Sequence, residues 1–312
     1  MKSHNAELLA NLKSFTQGLV FSDDERGSLN PFVWDVSEKG KLTAEKLMLS
    51  NKIWGTKSLT RLTFDVFLEK ASEDKQTKAL FKILQSHLTN IEIYQAYFPD
   101  DVFNVYIGKT REEDWFGLCS PFESGDKDYS GGTSEKFIVK NVSPSQAILN
   151  LLKELQNNYL PLTNQYAKYQ RKWMRQYADT KDKLIEKLMD SVKFFTTQEY
   201  KSMLNVAARY NNELAYVESE TEYISRHNSE TSYFDEETGI EYEIEMEPTI
   251  EFEYSPGTDY SELDDFLKST LSNLRVYTIG ANSNSDFHIY VLGNTQGGDW
   301  AGVLIDVKLN RS

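Results

Sequence analysis

Val105-Tyr-Ile-Gly-Lys-Thr110, followed four residues on by Asp114-Trp-Phe-Gly117, has a second version far along the chain. Tyr290-Val-Leu-Gly-Asn-Thr295 leads with the same spacing to Asp299-Trp-Ala-Gly302. The likeness extends upstream, where Leu88-Thr-Asn-Ile-Glu-Ile-Tyr94 recurs as Leu271-Ser-Asn-Leu-Arg-Val-Tyr277. Order and spacing agree apart from a two-residue length difference near Pro99 in one copy and Ser283 in the other. So many specific residues in register point to an internal duplication. In each copy the apolar residues fall in short runs, with glycines marking the turns. A meander of strands is the expected fold of both stretches.

Working outward from the first copy, Leu8, Leu9, Leu12 and Phe15 recur at helical spacing, so residues 5–16 read as an amphipathic helix. Phe32–Val36 and Leu59–Thr63 read as strands, and 64–71 as a short helix. Lys75–Leu88 is a second helix, with Ala79, Leu80, Ile83, Leu84 and His87 along one face. His87 is expected as a packed core residue. The second copy is expected to open with Thr196-Thr-Gln-Glu199 as a capping box for a helix over 201–210. Its Ser232-Tyr-Phe-Asp235 is the counterpart suggested for Phe32-Val-Trp-Asp35. Asp259–Leu271 reads as the helix before its meander.

The cleanest alternation lies between those helices. Ile240, Tyr242, Ile244 and Met246 alternate with Glu241, Glu243, Glu245 and Glu247, and Ile250, Phe252 and Tyr254 alternate with Glu251 and Glu253. Period-2 patterning sends one set to a core and the other to water. Pro248-Thr249 between the runs reads as the turn of a hairpin. Residues 122–143 read as a linker, and 144–195 as two or three amphipathic helices with basic exposed positions (Lys168, Arg171, Lys172, Arg175, Lys181, Lys183, Lys187). The expected organisation is therefore 1–121, a linker over 122–143, a basic helical segment over 144–195, and a second domain over 196–312.

Charge is unevenly spread along this plan. The chain carries a net −14, but residues 213–265 alone hold 18 acidic and one basic side chain, while 136–212 hold 13 basic and six acidic. Such an acidic field repels nucleic acid and membrane surfaces and attracts basic partners. The basic segment beside it is expected to pair with it rather than with nucleic acid. No run approaches the ~20 apolar residues of a membrane span, and the opening residues do not read as a secretory signal. Cys119 is alone, which fits a reducing cytoplasm and leaves no internal disulfide or multi-cysteine metal site.

Ala6-Glu-Leu-Leu-Ala-Asn-Leu12 with Gly18-Leu-Val-Phe21, Pro31-Phe-Val-Trp34, Thr63-Phe-Asp-Val-Phe67 and the closing Tyr290–Gly302 stretch together resemble the nuclease A inhibitor family of bacterial proteins. The resemblance covers residues 1–120 well and 196–312 patchily, and leaves the helical middle outside. It implies an α+β chain of two α/β/α sandwiches around largely antiparallel sheets. It further implies a non-catalytic protein that binds and occludes a non-specific, metal-dependent nuclease, as an immunity factor or a guard against a host enzyme. An acidic loop residue and a terminal hydroxyl do this in the family. Asp24 stands at the loop position in the first copy, Glu218 or Glu220 in the second, and Ser312 stands where the family ends in Thr. The loop tryptophan that the family uses has no counterpart in Ser72-Glu-Asp-Lys-Gln76.

Two readings of the ladder Glu241, Glu243 and Glu245 stand beside each other. Same-face residues on a strand lie ~7 Å apart, comparable to phosphates along one DNA strand, so the array suits a basic nuclease cleft. The same pattern serves equally as a solvated face that discourages edge pairing. The scattered histidines lack metal-ligand spacing, and no nucleophile–base set stands out. Neither enzyme chemistry nor a cofactor is expected. The expected partner is a nuclease or another basic protein, and the alternative is a scaffold protein of the same fold with a different protein partner.

Overall fold

The computed structural model describes residues 3–21, 27–53, 56–63, 66–67, 75–97, 102–119, 144–158, 174–207, 232–235, 240–243, 259–280 and 287–307. In chain order its elements are α1 (Ser3–Thr16), β1 (Gly27–Trp34), α2 (Val36–Lys39), α3 (Ala44–Ser50), β2 (Lys52–Ile53), β3 (Thr56–Lys57) and β4 (Leu59–Leu62). Then come α4 (Lys75–His87), β5 (Leu88–Tyr97), β6 (Val102–Thr110), β7 (Trp115–Cys119), α5 (Gln146–Asn158), β8 (Met174–Ala178), α6 (Lys181–Ser191) and β9 (Phe195–Glu199). The last are β10 (Ser232–Asp235), β11 (Ile240–Glu243), α7 (Ser261–Thr270), β12 (Ser272–Ile279), β13 (Phe287–Asn294) and β14 (Trp300–Val307). Two five-stranded sheets dominate, ordered β4-β5-β6-β7-β8 and β1-β14-β13-β12-β9. The fold is α+β, and the chain divides into a central unit (34–198 with 277–289) and a terminal unit (1–33, 199–276 and 290–312).

In the β4-β5-β6-β7-β8 sheet of the central unit every neighbouring strand pair is antiparallel, with Leu62 opposite Ile93, Ile93 opposite Tyr106, Tyr106 opposite Leu118 and Leu118 opposite Arg175. Alternation then sends Ile93, Tyr106, Phe116 and Leu118 to one face, where they join Leu80, Phe81 and Leu84 of α4 and Ile148, Leu151 and Leu155 of α5. Phe67, Phe81 and Tyr106 meet in tilted and edge-on ring contacts. Ile148, Leu151 and Leu155 are fully buried, and each such side chain contributes about 1.5–3 kcal/mol. That places α5 in this core. His87 closes the α4–α5 seam through a 2.6 Å bond to Glu154, and is half-buried rather than fully packed.

The opposite face of the sheet is shaped by Gly117. A Cβ there would lie 2.3 Å from Cδ1 of Leu188 and 3.2 Å from that of Leu184, so the glycine lets α6 close on β7. Helices α3 and α6 pack on each other and start alike. Thr43 accepts from the backbone of Lys46, and Thr180 from that of Lys183. Between them lies a charged knot. Lys181 Nζ stands 2.7 Å from Glu92 and 3.1 Å from Glu45, Arg61 stands 3.4 Å from Glu92, and the Tyr94 hydroxyl reaches both carboxylates.

Burial pushes the Glu92 carboxyl up. Hydrogen bonds from Lys181 and Tyr94 and the charges of Lys181 and Arg61 outweigh it, and the carboxyl ends below its ordinary 4.5. A group whose pKa falls on folding stabilises the fold above its unfolded value and loses that contribution as pH drops through the folded one. The melting temperature should therefore hold between pH 7 and 5 and fall below about 4.5. In Glu92→Gln that component of the acid loss should disappear, and an unchanged acid limb in thermal melts would refute the assignment.

In the terminal unit α1 and α7 lie together, with Phe15 stacked on Phe266 at 4.6 Å. Leu8 and Leu12 of α1 and Leu263 and Leu267 of α7 are buried. β1 is an edge strand, which is where its Pro31 is tolerated because no ladder donor is lost. Phe32 meets Tyr290 edge-on, and Asn30 Nδ2 donates to Asp306 at 3.0 Å.

The duplicated meanders agree in detail. Asn90 and Asn273 both take positive φ (50° and 52°) at the start of the first meander strand, a conformation Asn tolerates better than most residues. Thr110 N–H donates to Asp114 O and Thr295 N–H to Asp299 O, each at 2.8 Å. A Cβ on Gly108 or Gly293 would sit 2.9 Å from the Cβ of Leu88 or Leu271.

Several expectations differ from what is seen. The 144–195 stretch is not a purely helical segment, for it supplies β8 and the first residue of β9 as well as α5 and α6. Thr196–Glu199 form part of β9 rather than a capping box. The helix over 203–207 starts instead at Ser202, whose Oγ accepts from Asn205 N–H at 3.1 Å. The counterpart of Phe32–Asp35 is β8 rather than Ser232–Asp235, because β1 flanks β14 as β8 flanks β7. Asp299 also bonds beyond its own turn, where its buried carboxylate accepts from Asn5 Nδ2 of α1 at 3.1 Å.

Candidate partner-binding surface

The residues singled out for partner binding fall mostly outside the described part of the chain. Asp24, Glu218, Glu220, Glu245 and Ser312 all do, as does the run 250–254 expected to pair with the glutamate ladder. Glu241 and Glu243 lie in β11, whose backbone is described. It pairs antiparallel with β10, placing Glu243 opposite Ser232, Glu241 opposite Phe234 and Tyr242 opposite Tyr233. The described hairpin is thus formed with the preceding strand.

What the fold does describe are the anchors from which these segments leave, and in the terminal unit they converge. Residues 22–26, which carry Asp24, span from Phe21 to Gly27. Phe21 N–H donates to Gly27 O at 3.1 Å, and Val20 bridges Ser28. A Cβ on Gly27 would meet Cβ of Phe21 at 2.6 Å and Ile305 Cγ2 at 3.4 Å. The base of the Asp24 loop is therefore pressed against β14, the strand that runs on toward Ser312. Tyr260, just before α7, donates its hydroxyl proton to Val20 O at 2.5 Å. That bond ties the end of the acidic stretch to the same loop base.

The other end of the acidic stretch is held close by. Asp264, in the first turn of α7, accepts from Met203 N–H at 2.9 Å and from the Tyr200 hydroxyl. Burial and the Asp264 carboxylate both push the Tyr200 phenol well above its ordinary range, so it stays a proton donor. Met203 and Tyr200, shortly before residues 208–258, are thus held at the first turn of α7, which follows them. Residues 208–258 carry 14 acidic and two basic side chains. The corresponding interval in the first copy, between the short helix at 66–67 and α4, spans only seven residues. The acidic stretch is therefore much longer than the corresponding interval of the first copy, and the part of it before residue 244 lies outside the family match. Sequence patterning revealed its charge, but the shared anchor of Val20, Tyr260 and Ile305 had no local signal, because these residues are far apart in the chain.

Among the described residues no group of three or more His, Cys, Asp or Glu side chains is placed to hold a metal ion. Cys119 is fully buried, and burial raises its thiol well above the ordinary value. No described helix is long and apolar enough to cross a membrane.

No curated protein matches the chain. The family model described as nuclease A inhibitor-like protein matches residues 6–121 and 244–307, together more than half of the 312 residues. Its first match ends just beyond β7 and its second with β14, the closing strands of the two meanders. The chain belongs to the nuclease A inhibitor-like family.

Proposed function

We propose that this protein binds a metal-dependent, non-specific nuclease and occludes its active site, performing no chemistry itself. The reading is supported by membership of the inhibitor-like family. The observation that carries it further is the convergence of the Asp24 loop base, the acidic stretch and the end of β14 on one region of the terminal unit. Asp24 together with Ser312 approaches the metal centre of the target. Glu241, Glu243 and Glu245, with Glu218 and Glu220, meet the basic rim that would otherwise hold nucleic-acid phosphates. Charge of this sign speeds encounter with a basic cleft, and the effect weakens with salt.

A plasmid-degradation assay tests the proposal with a Mg²⁺-dependent non-specific nuclease from the same genome. The purified protein should suppress cleavage at low salt. Combining Asp24→Asn with removal of residues 310–312 should weaken inhibition at least tenfold. The triple change of Glu241, Glu243 and Glu245 to Gln should slow association and flatten its salt dependence. Full nuclease activity at a large excess of the native protein, for every such enzyme of that genome, would favour a scaffold with another protein partner. Unaltered inhibition by the triple variant would leave the ladder as solvated surface only.

A further inference from the structure

The two copies found in the sequence are not the two units of the fold. Within the first copy the family match runs unbroken from residue 6 to 121, through α1 and β1 into β4–β7. In the structure, however, α1 and β1 complete the sheet of the second copy, where β1 flanks β14. Reciprocally, α5 and β8 complete the sheet of the first copy, where β8 flanks β7 along five register pairs.

The two dockings correspond in place, though the contacts that make them differ. Each helix begins at the turn between the last two meander strands. Asn5 of α1 bonds Asp299 in one unit, and Ala147 N–H of α5 donates to Glu112 in the other. Each helix then lies along the helix that precedes its meander, α1 on α7 through Phe15 and Phe266, and α5 on α4 through Glu154 and His87. Beyond each arm the chain passes through a Thr-capped helix, α3 or α6, and into the far edge strand of its own copy, β4 or β9. α3 and α6 are joined by Glu45–Lys181, and Lys41, in the loop before α3, stands 3.9 Å from Asp182.

We propose that the chain is a fused, internally exchanged dimer, in which each meander edge is a docking site for the helix–strand arm of the other copy. The partner that fits the β14 edge or the β7 edge is an arm of the same kind, supplied within the chain or by a second molecule. Neither copy is then a folding unit by itself. Stripping an arm from either meander uncovers an unpaired strand edge together with the apolar side of α7 or α4, and such an edge recruits another strand.

The test uses the full chain with a protease site inserted between Gly131 and Gly132. After cleavage the two pieces should remain one species of 36.0 kDa by light scattering and part only on unfolding. Co-migration by itself would also follow from two ordinary domains that adhere, so a covalent readout is added in a Cys119→Ala background. Asn30→Cys with Asp306→Cys should oxidise to a disulfide that keeps the cut pieces joined on a denaturing, non-reducing gel. Pro121 lies six residues past Trp115, as Asp306 lies six past Trp300, so it is where an unexchanged β1 would pair. Asn30→Cys with Pro121→Cys should give no disulfide, and both thiols should remain open to titration. A disulfide between positions 30 and 121, or two separately folded pieces after cutting, would overturn the exchange.

Discussion

Gly302→Ala is expected to cost about 4 kcal/mol or more, enough to unfold the terminal sheet at ordinary temperature in a protein of marginal stability. Gly302 lies in β14 at φ +151°, and an added Cβ would stand 1.9 Å from Val291 O of β13. The obstacle is backbone in the neighbouring strand, so no rotamer change relieves it. Strained φ alone costs about 1–3 kcal/mol, and displacing β13 adds to it.

Gly298→Ala is the control. It sits at φ +81° with nothing within 4 Å, and its counterpart in the first copy, Glu113, already holds φ 72°. That change should cost only about 1 kcal/mol. Urea unfolding followed by near-ultraviolet dichroism separates the two. Equal midpoints for both variants would show that β13 and β14 do not approach as described.

Lys181→Met should destabilise the central unit by about 3 kcal/mol. Lys181 is the ammonium that stands between Glu45 and Glu92, whose side chains are 15% and 14% exposed. Removing the cation leaves Glu45 with the Tyr94 hydroxyl alone, and Glu92 with that hydroxyl and the half-exposed Arg61. Breaking one side of a buried ion pair typically costs about 3–5 kcal/mol, and the partial exposure here puts the expectation at the lower end. Combining Lys181→Met with Glu92→Gln should return about half of the loss, since one of the stranded charges is gone. A double variant no more stable than Lys181→Met would place the effect in packing of the lysine stem.

The physical role of this knot follows from what it joins. Glu45 belongs to the helix leaving one arm and Lys181 to the helix leaving the other, so the ion pair bonds the two crossing segments. The meander itself depends on hydrogen-bonded strands and close glycine contacts. Its first strand, β5, enters the knot through Glu92 and Tyr94.

The part of the fold that could be read from the residues is the part that short-range chemistry controls. Gly108 and Gly293, the Thr110 and Thr295 turns, and the alternation through β5–β7 and β12–β14 repeat because each turn and strand needs those residue types locally. The 174–178 strand is not legible in the residues for an equally local reason. Gln176 is one of its buried residues, which hides the alternation, while Trp173 and Tyr177 stand four apart and imitate a helix face. The glutamate ladder could be read as a strand, and its charge as an attractor of basic partners. The loop base it shares with Asp24 could not be read, because Val20, Tyr260 and Ile305 are brought together only by packing.

By itself the sequence determined the duplicated meander, the acidic stretch and the membership of an inhibitor-like family. Only the tertiary structure decided which arm completes which sheet. The physical reason is that β7 and β14 both open with Trp-x-Gly and each offers an edge, so local sequence does not tell β1 or β8 where to pair. In the folded chain the connecting helices α3 and α6 pack on each other, with Glu45 of one paired to Lys181 of the other.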